Sequence, residues 1–541
     1  MVSLSLKEFL NTVENHLVTY DKEVSWNLEA TKIIVENEGR PVLFKRISGS
    51  HYPLVANVLY SRSTLHNLLN VRSDEELYLK FLKALSEPRK LSQGSISSSY
   101  TKLKEVDMSS MPILKFYPED GGRYVTSAIV LAGDGEGNFN ASIHRLMLIG
   151  KNRFAVRIVP RHLYSMLMRF KRLGKNLPVV ILVGTHPLIM LSSAFSPPYG
   201  VYEIEVANSV LGGAIKADYL TELDIPTPLV SEMIWVGEIS AFEMHSEGPF
   251  VDILGTYDIV RKQPVLHVNE VWVREEAMFQ EILPGGFEHR LLMGFPREVT
   301  IWDAVRKVVP KVKSVRLTPG GAGWLHAVIS IEKQTEGDGK NAILAAFAAH
   351  PSLKHVVVVD TDIDVVQGSW KETDRRISDT IRYMFEKKPD IFPVFLGGEH
   401  LISYSILLTL SRIFNKRITV IHFDAHLDMR SKLGCKFSHA TFMYYLAKTR
   451  RFNIVNIGAR SFSEEELNNI KKFKVKLNKI ENIDSLTYIT IDMDVLDPSF
   501  ANDVSTPEPN GLSYEDLLTQ LRKIKYKNVI CLLYTSPSPR D

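Results

Sequence analysis

The chain has 541 residues, of which 45% are hydrophobic and 23% are charged, and its formal net charge is +3. This composition is typical of a soluble globular protein of roughly three to four domains. The small net charge gives no reason to expect nucleic acid or an anionic membrane as a partner.

Cysteine usage and apolar segments indicate a cytoplasmic protein. Cys435 and Cys531 are the only two cysteines, so a disulfide framework is not expected. The first ten residues lack a basic region followed by an apolar stretch, and no signal peptide is predicted. The apolar run at 177–183 is far shorter than the ~18 residues of a membrane span and predicts a buried strand.

The first 330 residues predict two regions. Residues 1–100 alternate helix, strand and helix, with a capping-box pattern at Ser73, and predict an α/β region. Residues 101–330 contain many short strands, including 124–131, 153–159 and 265–273, with a few helices between them. Such spacing predicts a β-barrel or a mixed sheet.

The remaining residues predict α/β structure. Residues 331–366 contain a predicted helix at 341–350 and a buried strand at 354–360. Residues 367–531 alternate helices and strands, which indicates a parallel, doubly wound sheet. The last ten residues, 532–541, interrupt a strand that begins at Asn528, and we predict that they are a non-native tail.

Four clusters between 397 and 494 supply candidate metal ligands. In Asp424-Ala-His-Leu-Asp428 the ligands lie at i, i+2 and i+4, so an extended backbone points all three to one side. The other clusters add three candidate ligands, His400, Asp492 and Asp494, and one further histidine, His439. Two imidazoles and four carboxylates form a hard site that suits Mn²⁺, and a pair of such ions activates water for hydrolysis.

Residues 367–531 resemble the ureohydrolase family, which includes arginase and agmatinase. The resemblance depends on GGEH, FDAHLD, SHATF, IDMDVLDP and STPEPNGLS, which occur in the family's order, and the form around Glu508 resembles agmatinase. It implies a three-layer α/β domain with two Mn²⁺ ions, a proton shuttle at His439 and urea as a product. Its implied metal ligands are His400, Asp424, His426, Asp428, Asp492 and Asp494. We expect this domain to be truncated, without an outer strand and a substrate-binding carboxylate beyond Cys531.

Residues 1–366 resemble the UbiD family of decarboxylases that depend on prenylated FMN. The matching segments, in family order, are 40–44, 52–57, 140–145, 161–162, 231–232, 247–250, 274–277, 284–289 and 360–365. The resemblance implies a split β-barrel flavin domain flanked by an α/β region. It also implies that Asn140, His162 and Glu232 bind Mn²⁺ or Mg²⁺ at the flavin phosphate, with K⁺ as a further candidate. Ser142, Ile143 and Arg145 are implied contacts of the cofactor.

The same resemblance implies a substrate site. Arg145 would bind the carboxylate of a small-molecule acid and pair with an acidic side chain, for which Glu276, Glu281 and Glu288 are the candidates. Glu276 and Glu281 also suit a solvated charged loop. The acid is left open between a 4-hydroxybenzoate derivative and an isoprenoid acid phosphate, to which Lys151, Arg157 and Arg161 would add positive charge. A flavin prenyltransferase would supply the cofactor, and a homo-oligomer is compatible with the family.

Three hypotheses about function follow. The first is a non-oxidative decarboxylase of an unsaturated or aromatic acid. The second is a binuclear manganese C–N hydrolase of agmatinase type that releases urea. The third is a chimera without function in one or both halves, because no Gly-, Ser- or Pro-rich linker separates the two segments at 366–367.

Overall fold

A computed structural model describes residues 4–360, 363, 369–434, 436–480, 484–501, 504 and 506–535. It divides the chain into two compact units, residues 1–361 (unit 1) and 362–541 (unit 2). The expected junction at 366–367 lies outside the described residues. No helix in the described part of the chain is long and apolar enough to cross a membrane.

Unit 1 contains nine helices and nineteen strands among its described residues. The helices are α1 Leu6–Thr12, α2 Glu29–Glu36, α3 Arg62–Leu69, α4 Asp74–Ser86, α5 His162–Arg172, α6 Pro187–Ser193, α7 Glu203–Val210, α8 Phe287–Arg306 and α9 Asp338–Ala349. The strands are β1 Val18–Val24, β2 Val42–Ile47, β3 Leu54–Ala56, β4 Ser92–Gln93, β5 Thr101–Lys102, β6 Tyr124–Gly133, β7 Phe139–Gly150, β8 Arg153–Val156, β9 Leu177–Val183, β10 Lys216–Tyr219, β11 Pro226–Pro228, β12 Met233–Glu247, β13 Phe250–Val251, β14 Tyr257–Asp258, β15 Arg261–Val273, β16 Phe279–Gln280, β17 Val312–Leu317, β18 His326–Ile331 and β19 His355–Val359.

A closed six-stranded barrel forms the centre of unit 1. Its strands pair in the order β12-β9-β6-β7-β8-β15, and β15 pairs again with β12. Along β9, Val179 and Ile181 pack into one hydrophobic cluster, whereas Val180 and Leu182 pack into another. Successive side chains of a strand point to opposite faces, so both faces of this strand are buried. This explains the continuous apolar run and confirms the predicted barrel.

Smaller sheets flank the barrel. The sheet β1-β2-β3-β16 combines three strands near the N-terminus with a strand at 279–280, and β17-β18-β19 forms a third sheet. As the sequence predicts, α4 begins at Ser73, whose side chain accepts a hydrogen bond from the Glu76 backbone N–H. Such an N-cap satisfies a backbone donor that the helix itself leaves free.

Unit 2 is a six-stranded parallel sheet with helices. The helices are α10 Trp370–Lys387, α11 Ile402–Ile413, α12 Phe442–Lys448, α13 Glu464–Phe473 and α14 Tyr514–Arg522, and the strands are β20 Val394–Gly397, β21 Ile418–Phe423, β22 Phe452–Ile457, β23 Lys476–Leu477, β24 Thr487–Asp492 and β25 Val529–Thr535. The order is β20-β25-β24-β21-β22-β23, and every neighbouring pair is parallel. Val420 and Ile421 pack into different hydrophobic clusters, so both faces of the sheet are covered. The predicted parallel sheet is confirmed.

The C-terminal strand differs from the prediction. Strand β25 continues to Thr535 and lies between β20 and β24, with Leu533 and Thr535 buried. The expectation that the strand stops near Cys531 is therefore wrong, because pairing with two parallel neighbours satisfies its backbone up to Thr535. The remainder of the predicted tail, 536–541, lies outside the described residues.

Candidate functional sites

Strand β7 runs along a cavity of about 630 Å³ in unit 1. Five consecutive or alternating residues of this strand line it: Asn140, Ser142, Ile143, His144 and Arg145. Helices α5, α6, α7 and α8 contribute further lining residues. Cavities of this size with a few convergent polar groups are typical of small-molecule sites.

One side of the cavity combines an amide, two imidazoles and a carboxylate. Asn140 Nδ2 donates to Ser142 Oγ at 3.0 Å, and Ser142 Oγ lies 2.8 Å from His144 Nε2. His162 is the first residue of α5, and burial, with Arg161 beside it, lowers the pKa of its imidazole. A neutral imidazole has a lone pair available for a cation. This side of the cavity therefore offers oxygen and nitrogen ligands.

The carboxylate beside these groups is Glu203, the first residue of α7. Its Oε2 accepts a hydrogen bond from the Ala141 backbone N–H at 2.7 Å, and burial raises its pKa to about 8. A buried carboxyl group with a raised pKa lacks a compensating positive charge. A divalent ion with a bound phosphate would supply that charge, so the residues present suit the flavin-phosphate metal that the resemblance implies.

Glu232, the predicted third ligand, is placed elsewhere. It is buried, its Oε2 accepts the Met278 backbone N–H at 3.4 Å, and it is not among the residues that line the cavity. The structure thus places Glu203, and not Glu232, at the cavity with Asn140 and His162. Both glutamates have raised pKa values, which burial causes, but only Glu203 lies at the cavity.

Arg145 forms a bidentate ion pair with Glu247. Its Nε and Nη2 donate to the two carboxylate oxygens at 2.9 and 3.0 Å, and Nη2 also donates to Asp258 Oδ2 at 3.2 Å. Glu247 is completely buried and Arg145 is nearly so. Bidentate pairs of this kind fix the guanidinium plane, which here lies over the Phe250 ring. The cavity therefore holds an oriented arginine from the middle of β7.

The three predicted acidic partners of Arg145 have other contacts, so that prediction is wrong. Glu276 is exposed and pairs with Lys7. Glu281 is buried and accepts hydrogen bonds from the backbone and hydroxyl of Thr126 at 2.7 and 2.6 Å. Glu288 caps the backbone N–H groups of residues 58 and 59, at 3.2 and 2.8 Å. Burial raises the pKa of Glu281 to about 8 and that of Glu288 to about 7.

Further acidic and basic side chains line the cavity, including two of the three basic residues that the sequence offers for a substrate phosphate. Asp252 and His289 line it, and burial lowers the pKa of His289 to about 4. Arg157 and Arg161 also line it, as the sequence suggests, and Arg157 lies 3.6 Å from Asp258. Lys151 instead forms an exposed ion pair with Glu105, so it is not part of the cavity.

In unit 2 the predicted metal ligands follow the carboxyl ends of neighbouring strands. His400 comes three residues after β20, Asp424 comes directly after β21, and Asp492 ends β24. In open parallel sheets this edge is the usual ligand site. The structure brings all six predicted ligands to this edge, in two groups that share Asp424.

The first group consists of His400, His422, Asp424 and Asp428, with Asp492 beside His400. It contains an imidazole nitrogen without a hydrogen bond. His400 Nδ1 is buried and unbonded, yet it lies 3.0 Å from Asp424 Oδ2, 3.3 Å from Asp492 Oδ2 and 3.8 Å from Asp428 Oδ2. The carboxylates raise the pKa of His400 well above its ordinary value although burial opposes this. A nitrogen that faces three carboxylates suits a shared divalent cation, which would satisfy all four groups.

The second group consists of Asp424, His426 and Asp494, whose ligand atoms lie within 4.8 Å of one another. Burial disfavours the charged imidazole, but Asp424 and Asp494 raise the pKa of His426 to about 11. Burial and the negative charge of Asp424 raise the pKa of Asp494 to about 7. Such crowded carboxylates indicate a site built for positive charge.

Two residues near this centre are placed more loosely. His439 is 57% exposed, and its Nδ1 lies 3.8 Å from Glu399 Oε2, which raises the pKa of the imidazole. Glu508 Oε1 lies 3.6 Å from His426 Nε2. An exposed histidine beside a carboxylate is able to exchange protons with water, and the shuttle role of His439 stays a prediction.

The sequence interpretation missed several residues at these sites. Glu247 lies inside the segment 247–250 that supports the family resemblance, but its pairing with Arg145 has no local signature. Glu203 lies in an apolar helix and has no motif of its own. His422 Nε2 lies 2.9 Å from Asp424 Oδ2. Because His422 directly precedes FDAHLD in the sequence, its position next to this motif could have identified it as a candidate ligand.

Comparison with known families also finds two parts in the chain, with family models that overlap at 337–372. Three family models described as 3-octaprenyl-4-hydroxybenzoate carboxy-lyase match it: the N-terminal domain at 12–85, the Rift-related domain at 89–287 and the C-terminal domain at 290–372. The Arginase family model matches 337–535. Unit 1 therefore belongs to the class of carboxy-lyase-family proteins.

Individual relatives support the same class. An anhydromevalonate phosphate decarboxylase of Aeropyrum pernix is 43% identical over 382 residues, which cover 68% of this chain and 84% of the relative. The protein of the same name from Methanothermobacter thermautotrophicus is 42% identical, with 67% and 85% covered. The UbiD-class enzyme HmfF from Pelotomaculum thermopropionicum, solved with FMN, is 33% identical with a TM-score of 0.65, and covers 70% of this chain and 86% of its own. The chain belongs to the UbiD family of decarboxylases and, in addition, contains an Arginase-family domain.

Proposed function

We propose that unit 1 decarboxylates a small unsaturated acid that bears a phosphate group, with prenylated FMN as cofactor. The relatives named anhydromevalonate phosphate decarboxylase, which are 40–43% identical, support this substrate class. A second solved form of HmfF contains prFMN, which supports the cofactor. The carrying observation is Arg145, which lines the same cavity as Asn140, His162 and Glu203 and is oriented by the buried Glu247 behind it.

The chain's own residues have separate tasks in this proposal. Asn140, His162 and Glu203 would hold a divalent ion, Mn²⁺ or Mg²⁺, for the flavin phosphate, with K⁺ as an additional ion. The bound flavin supplies the electron sink that loss of CO₂ requires. Arg145 orients the substrate carboxylate, and Glu247 orients Arg145.

A proton must return to carbon after CO₂ leaves. Asp252 lines the cavity near His289, and we assign to it the delivery of that proton. Asp252 is exposed at the cavity, so its carboxyl group is able to take up a proton from water and pass it to carbon.

The test is decarboxylation by the full chain after co-expression with a flavin prenyltransferase, the proposed supplier of the cofactor. We expect a flavin absorbance band in the purified protein and release of CO₂ from anhydromevalonate phosphate. Protein expressed without the prenyltransferase is the control and should release no CO₂. Flavin-loaded protein that releases no CO₂ from this acid, from its unphosphorylated parent or from 4-hydroxybenzoates would contradict the proposal.

A second activity is proposed for unit 2 because His400 Nδ1 is buried, unbonded and surrounded by carboxylates. We infer a centre of two Mn²⁺ ions that hydrolyses a C–N bond of a guanidinium compound. Water adds to the guanidinium carbon, the C–N bond to the alkylamine breaks, and urea and the amine are released. Urea production from agmatine with added Mn²⁺ tests this, and its absence in protein that holds both ions would reject it.

A further inference from the structure

Two arginines of unit 1 converge on one serine at the cavity. Arg161 Nη1 donates to Ser196 Oγ at 3.1 Å, and Arg297 Nη2 lies 3.5 Å from the same oxygen. Arg161 precedes α5, Ser196 follows α6 and Arg297 lies in α8, so three separate elements bring these groups together. All three residues line the cavity.

Neither guanidinium has a carboxylate partner among the residues that the structure describes. Arg145 and Arg157, by contrast, both lie within 4 Å of Asp258, and Arg145 also pairs with Glu247. Burial lowers the pKa of Arg297, and the positive charge of Arg161 lowers it further. Two like charges held close together without a counterion are unfavourable, so this arrangement is suited to an anion that is not part of the chain.

The chemistry of the pair indicates which anion. Arginine presents planar N–H donors that match phosphate oxygens, and a serine hydroxyl adds a neutral donor. The Arg297 guanidinium lies 5.7 Å from the centre of the Trp324 ring, which limits its orientations. A dianionic phosphate monoester would neutralise both charges.

We propose that Arg161, Arg297 and Ser196 bind the phosphate group of the substrate, while Arg145 binds its carboxylate. This inference rests on the proposed function of unit 1. The flavin phosphate is the competing source of the same chemistry. It is assigned instead to Asn140, His162 and Glu203, which line the same cavity, with Glu203 accepting a hydrogen bond from the Ala141 backbone next to Asn140.

The experiment compares R161Q and R297Q with the wild-type full chain, all loaded with prenylated FMN. The substrates are anhydromevalonate phosphate and the same acid without its phosphate. R153Q is the matched control, because Arg153 is an exposed arginine that pairs with Glu243 outside the cavity. R161K serves as a conservative variant that keeps the charge and loses the planar donors.

We expect KM for the phosphorylated acid to rise roughly ten- to a hundredfold in R161Q and R297Q, the usual effect of losing a hydrogen bond to a charged group. KM for the unphosphorylated acid, kcat and the flavin content should stay close to wild type. R161K should lie between wild type and R161Q, and R153Q should match wild type.

Three outcomes would overturn the inference. If the substitutions change KM equally for both acids, the arginines do not recognise phosphate. Loss of bound flavin from R161Q or R297Q would assign the pair to the cofactor phosphate. The third outcome comes from titration of the flavin-loaded proteins with inorganic phosphate. If the heat of binding is absent in wild type, or is unchanged by the substitutions, the arginines do not form an anion site. Failure of the proposed function looks different, since wild type would then decarboxylate neither acid while phosphate binding to the pair persists.

Discussion

Arg145 and Glu247 meet through two parallel hydrogen bonds of 2.9 and 3.0 Å, although they are 102 residues apart in the chain. Arg145 lies on β7, and Glu247 is the last residue of β12. The closed barrel brings the middle of β7 next to the end of β12. Closure of the barrel therefore determines that Glu247 is the acidic residue that orients Arg145.

The first prediction concerns this pair. In E247Q Arg145 keeps its contact with Asp258 but loses the bidentate carboxylate, so we expect a loss of about 2 kcal/mol in the free energy of unfolding. We also expect decarboxylation to fall about a hundredfold in kcat/KM, because the guanidinium is no longer held in one plane. Urea denaturation and initial rates measure the two effects. E243Q removes an exposed carboxylate that pairs with Arg153, and it should change neither quantity.

The second prediction separates two buried glutamates. E203Q removes the carboxylate that shares the cavity with Asn140 and His162, and we expect it to lose both the divalent ion and most of the bound flavin. E232Q alters a carboxylate that contacts the Met278 backbone, and it should retain both. Flavin absorbance and metal analysis of the purified proteins decide the matter. Flavin loss in E232Q with retention in E203Q would restore the ligand set that the sequence predicts.

The third prediction is a dependence of stability on pH. Burial raises the pKa of Glu281 from 4.5 to about 8, so the folded state keeps this proton at pH values where the unfolded state has lost it. The folded state binds more protons in this range, and the free energy of unfolding therefore falls as pH rises from about 4.5 to about 8. One such group contributes up to about 1.4 kcal/mol per pH unit.

E281Q carries no titrating proton and should reduce this slope. The measurement is urea denaturation between pH 5 and pH 8, followed by tryptophan fluorescence. E276Q, in which an exposed carboxylate is replaced, should keep the wild-type slope. Equal slopes in wild type and E281Q would show that Glu281 is ionised in the folded protein.

The fourth prediction concerns metal binding by unit 2. Protein treated with EDTA and then supplied with Mn²⁺ should bind two ions at the Arginase-family centre. D424N should lower this number, because Asp424 belongs to both groups of ligands. D484N, which alters an exposed partner of Lys525, is the control and should bind as wild type. Metal content is read by plasma mass spectrometry, and an unchanged content in D424N would contradict the assignment.

The sequence by itself determined the barrel, the parallel sheet and the six ligands of unit 2. These follow from local patterns: apolar runs at β9 and β21, and ligands spaced by two residues next to a strand end. Local spacing determines where such side chains point, so it predicts that residues such as Asp424 and Asp428 come together, as they do in the structure. The barrel and the polar residues of β7 were likewise expected from contiguous segments.

Only the tertiary structure decided which distant side chains meet. Glu203 replaced Glu232 at the cavity, Glu247 replaced the three expected partners of Arg145, and β25 extended to Thr535 between two strands. In each case the choice depends on barrel closure or on sheet order, which bring together residues far apart in the chain. Ion pairs and strand pairing of this kind are long-range contacts, and short sequence patterns do not specify them.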